Sequence, residues 1–61
     1  MKTEKTRRLE QYIRMAHMLN NSNFKPADHN MARNALLDGA RTDAMIVPHE
    51  FKMLMDITSL I

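Results

Sequence analysis

Pro48-His-Glu-Phe-Lys-Met-Leu-Met-Asp-Ile-Thr-Ser-Leu-Ile61 is the segment on which the fold turns. Proline suits a first helical turn, and Glu50 falls where the positive end of a helix favours an acid. On a helical wheel, Phe51, Met53, Leu54, Met55, Ile57, Leu60 and Ile61 span more than half the circumference. Lys52, Asp56 and Ser59 hold the remaining strip. A helix on the surface of a globule needs an apolar stripe of about 100° or a little more. The pattern therefore predicts a helix over 48–60 that is buried on two sides.

Upstream, Val47 precedes Pro48 and is biased to an extended conformation. Residues 40–47 are expected to form an irregular or short helical linker, because a lone strand would have no partner. Before that linker a second helix is predicted over 26–38. It opens at Pro26, has Asp28 in its first turn, and stops at Gly39 acting as a left-handed cap. Ala27, Met31 and Ala35, flanked by Ala32 and Leu36, make a small-residue stripe that lets another helix come close. The first helix is predicted over 4–19. Leu9, Tyr12, Ile13, Ala16 and Leu19 recur at spacings of three and four. Thr3 or Thr6 caps its start, and the run Asn20, Asn21, Ser22, Asn23 ends it. Glu4 with Arg8, and Glu10 with Arg14, are i,i+4 pairs in the favourable orientation.

These elements make one all-α domain of two to three helices covering residues 1–61. The chain has no cysteine, so neither a disulfide nor a thiolate metal site can support it. A domain this short buries only about 60% of its unfolded surface when alone. An intertwined or side-by-side homodimer is the expected remedy, with the last helix at the subunit interface. Phe51, Leu54, Ile57, Thr58 and Ile61 are the expected self-association residues.

Charge is uneven along the chain. Residues 1–19 carry five basic against two acidic side chains, whereas residues 42–61 carry one against three. The basic first helix is expected to face the acidic last third of a partner chain. On its outer face Arg7, Gln11, Arg14 and Met18 form the expected contact surface for a protein partner or for nucleic acid.

Several function classes are disfavoured. His17, His29 and His49 lie on three different elements without metal-ligand spacing, so no metal or other cofactor is expected. Neither serine and none of the four threonines sits in a nucleophile-elbow pattern, and one glycine is too few for a phosphate loop. An enzyme acting on a small-molecule substrate is not expected from so small a chain. The N-terminus has no apolar run after its basic residues, and no membrane-spanning stretch is visible, so a cytoplasmic setting is the default. A helix-turn-helix reading with Gly39 as the turn puts Pro48 inside the recognition helix, at a cost of about 3 kcal/mol. The expected function is that of a small non-enzymatic regulatory or adaptor protein acting through a helix face. The alternative is a dimeric DNA-binding regulator that uses the basic helix.

Overall fold

The computed structural model describes residues 2–59. It contains three helices: α1 (Glu4–Asn20), α2 (Pro26–Thr42) and α3 (Pro48–Thr58), with no strand among the described residues. Helices α1 and α2 form an antiparallel hairpin closed by residues 21–25, and α3 lies against both.

Each start has a local cause. Thr3 Oγ1 accepts from the Thr6 N–H at 3.1 Å and caps α1. Helices α2 and α3 each open on a proline, which lacks the N–H that a helix start leaves unpaired. At α3 the Glu50 carboxylate reaches back to accept from the Val47 N–H at 3.0 Å. This is half a capping box, since Val47 has no side-chain oxygen.

The end of α2 departs from expectation. It runs through Gly39 to Thr42, and no described residue has a positive φ. Gly39 is therefore an interior helical residue and not a left-handed cap. Its value is closeness: a Cβ at Gly39 would lie 3.4 Å from Tyr12 Oη and 3.8 Å from Tyr12 Cε1. Thr42 and Asp43 end the helix instead. Thr42 Oγ1 donates back to the carbonyl of Asp38 at 3.1 Å. Asp43 leaves helical geometry and turns the chain, its Oδ1 accepting from the Met45 N–H at 3.0 Å. The two readings of Gly39 differ in sign for Gly39→Ala. Removing a left-handed cap glycine destabilises, whereas alanine inside a helix is expected to add about 0.5–1 kcal/mol. Thermal unfolding of the variant is expected to show a raised midpoint, since a 3.4 Å contact with the end of Tyr12 is tolerable.

The core sits where α3 meets the hairpin. Leu37, Ala40, Ile46 and Leu54 are buried together, with Leu9, Tyr12, Ile13, Leu36 and Phe51 packed around them. Ala16 and Leu19 are also buried, so the expected apolar face of α1 is the face that packs. Leu54 and Thr58 have no accessible surface. The Thr58 hydroxyl donates to the Leu54 carbonyl at 2.8 Å and accepts from Arg33 Nε at 3.2 Å. Phe51 and Ile57 are half-buried, and Arg41 stands over the Phe51 ring, 5.4 Å from its centroid. Ile61 lies outside the described residues. Leu54 and Thr58 are thus covered within one chain, by α1 and α2, whereas Met53 and Met55 of the same apolar arc stay exposed. Leu54 and Thr58 have no surface left to offer a second molecule.

Charge pairing follows the same pattern. Lys5 Nζ contacts Glu50 Oε1 at 2.8 Å and donates to the Met45 carbonyl at 3.1 Å. Arg8 contacts Asp43 Oδ2 at 3.1 Å and Glu4 at 3.7 Å. The basic start of the chain thus meets acids of its own last third. Glu10 takes Lys2 at 2.7 Å rather than the expected Arg14. The Lys5 hydrogen bond, then the Val47 N–H, hold the Glu50 carboxyl below its ordinary 4.5. A depressed carboxylate contributes stability above its unfolded value, and that contribution disappears as pH falls through the lower folded value. Glu50→Gln is expected to be less stable than the parent at neutral pH, with the gap closing below pH 4.5. Thermal midpoints measured across that range check it.

Candidate functional site

The hairpin has two faces, and α3 covers one. The Cα trace measures 37 × 20 × 15 Å, only two helix layers thick, so the other face meets solvent. An open groove of about 620 Å³ runs along it. Its α1 wall is built from Tyr12, Met15, Met18 and Leu19, and its α2 wall from Ala32, Ala35, Leu36 and Gly39. Ser22 and Phe24 of the connecting segment close one end. The spacing of the α2 residues is three and four, one row of a helix. One wall is long-chained and the other nearly flat.

The groove is apolar and uncovered. Phe24 is 55% exposed, Met18 66% and Met15 45%, while Met31 just outside the α2 wall is 70% exposed. Methionine is unbranched and polarizable, and suits a surface that must fit another shape. Scattered exposed apolar residues are ordinary, but a contiguous apolar strip marks an interaction surface.

The polar groups at its edges are few. The Tyr12 hydroxyl sits over Gly39. Burial first, then the charge of nearby Asp43, raise the Tyr12 phenol above its ordinary 10.0, against the opposing charge of Arg8. Tyr12 is therefore a neutral phenol at physiological pH. Among the described residues no group of three His, Asp or Glu side chains is placed to hold a metal ion. Nor is any helix among them long and apolar enough to cross a membrane.

The four residues expected to contact a partner lie together. Arg7, Gln11, Arg14 and Met18 are all exposed along one face of α1. Met18 belongs to the groove wall, and by helical period the other three stand on the solvent side of that wall. Neither Arg7 nor Arg14 has an ion-pair partner among the described residues, whereas Lys2, Lys5 and Arg8 each have one. Phe51, Leu54, Ile57 and Thr58, expected for self-association, lie elsewhere, on α3, none of whose described residues lines this groove.

Of the groove's lining only Met18 was expected as a contact residue. Ala35, flanked by Ala32 and Leu36, was read as part of a small-residue stripe that lets another helix come close, and Gly39 as a cap. Phe24 is a lone aromatic in the polar run 20–25, and nothing in that run says where its ring points. Comparison with protein-family models, curated proteins and solved structures finds no match to this chain.

Proposed function

We propose that this is a small non-enzymatic regulatory or adaptor protein that acts by helix-mediated binding to another protein. The observation that carries this reading is the uncovered apolar groove between α1 and α2. Its shape, two parallel ridges with a furrow between them, accepts an amphipathic helix presenting apolar anchors at positions i, i+3, i+4 and i+7. Unpaired Arg7 and Arg14 beside it favour an acidic flank on the occupant.

Binding of nucleic acid by the same arginine face is the second reading. Its support is that Arg7 and Arg14 are exposed and have no ion-pair partner among the described residues. Against it, Lys2, Lys5 and Arg8 are engaged by carboxylates of the same chain, which thins the positive field available to phosphates. Titration of the protein with a synthetic Leu/Met amphipathic helix bearing acidic flanks, and separately with random duplex DNA, tests both. The protein reading expects peptide binding that Met18→Lys abolishes and that salt weakens only slightly. If the peptide does not bind, while the DNA binds with a log–log salt slope of about −0.9 per phosphate contacted, the nucleic-acid reading replaces it.

A further inference from the structure

We infer that the occupant of the α1/α2 groove is the same groove face of a second copy of this chain, seated with α1 of each protomer over α2 of the other. The inference rests on the protein-binding reading of that groove and names its partner. Two independent features of the face select the same arrangement.

The first is shape. The α1 wall carries the long side chains Met15 and Met18, and the α2 wall carries Ala32 and Ala35, with Leu36 packed against the core cluster and Gly39 beneath Tyr12. Stacking like walls would set long side chains against long ones and leave a void between the small ones. Stacking unlike walls seats the methionines over Ala32 and Ala35, twice, by symmetry, while Gly39 lies beneath Tyr12 of its own chain. An isologous two-fold contact requires this kind of self-complementarity.

The second is charge. The outer margin of α1 carries Arg7 and Arg14, and by helical period the outer margin of α2 carries Asp38. Arg7, Arg14 and Asp38 are all exposed, and none has an ion-pair partner among the described residues. With α1 over α1, arginine margins would face each other. With α1 over the partner's α2, Arg14 faces Asp38 of the partner subunit. Their heights agree. Tyr12 and Gly39 are in contact across the hairpin, and Arg14 and Asp38 are displaced from that pair in the same direction by two residues and one. At 1.5 Å per residue the mismatch is about 1.5 Å.

The area also suffices. A stable pair buries about 800 Å² on each partner, roughly a sixth of the 4619 Å² that one chain exposes. The broad face, 37 × 20 Å in Cα extent, has a footprint of that order. The proposal moves self-association from α3, whose Leu54 and Thr58 are enclosed, to the face that α3 leaves open.

Sedimentation equilibrium on the parent, Arg14→Asp, Asp38→Arg and the double variant is the test, with circular dichroism confirming that each remains helical. The parent is expected to dimerise. Each single variant sets like charges opposite each other twice per dimer and is expected to weaken association at least about tenfold. The double variant, which restores opposite charges, is expected to recover most of that loss. A dimer indifferent to all three variants, or a double variant as weak as the singles, overturns the arrangement. A parent that stays a single chain at millimolar concentration overturns the self-association itself. The synthetic-helix titration then separates the two ideas. Binding of the helix to that monomer leaves the groove a protein-binding site with a different partner, and no binding removes both.

Discussion

Leu54→Ala is expected to remove about 2–5 kcal/mol of folding free energy, the usual cost of emptying a fully enclosed leucine site. Leu54 has no accessible surface and lies in the cluster with Leu37, Ala40 and Ile46. A domain of 61 residues has about 3–9 kcal/mol in total at ordinary stability per residue. The variant is thus expected to lose a large share of its stability, and to unfold outright where the total lies at the low end of that range. Urea titration followed by circular dichroism measures it. Running it at two protein concentrations separates the core's contribution from any due to association, since a dimer's midpoint moves with concentration. A cost below about 1 kcal/mol would mean that α3 does not dock on the hairpin as described.

His29→Leu is expected to act in the opposite direction, raising stability by about 1–3 kcal/mol. His29 is only 6% exposed, and neither imidazole nitrogen has a hydrogen-bond partner among the described residues. Taking those nitrogens out of water costs free energy that nothing returns, and leucine fills a similar volume without that cost. The same urea titration reads it. A destabilised variant would show that the imidazole has a partner in solution.

Much of the architecture was legible from the residues. Three helices, expected at 4–19, 26–38 and 48–60 from apolar spacing, two prolines and a threonine cap, stand at 4–20, 26–42 and 48–58. These are local signals, and local signals survive folding. Burial of the middle of α3 was also readable, although Met53 and Met55 of the same apolar arc are exposed. What covers it was not. Composition indicated that a second surface was needed but could not say that α1 and α2 of the same chain converge there. Gly39 misled for a related reason. A glycine near the end of an apolar pattern reads as a cap, and only the tertiary contact with Tyr12 gives it another use. The pairing of Arg8 with Asp43 and Lys5 with Glu50 spans 35 and 45 residues of sequence, beyond the reach of any helical periodicity. The exposed row Arg7, Gln11, Arg14 and Met18 was readable because it depends on α1 alone. The groove beside it was not, because four of its ten lining residues belong to α2 and two to the connecting segment.

The polar contacts of α3 fall at its two ends. Lys5 holds Glu50 at one end, and at the other Asn20 Nδ2 donates to the Ile57 carbonyl at 2.6 Å while Arg33 donates to Thr58. Leu54 is enclosed between them. A rod latched at both tips and plugged at its middle does not peel from one end. It leaves all at once or stays. Amide protons along its length should therefore share one opening free energy, making the last helix a single cooperative unit and not a frayed tail.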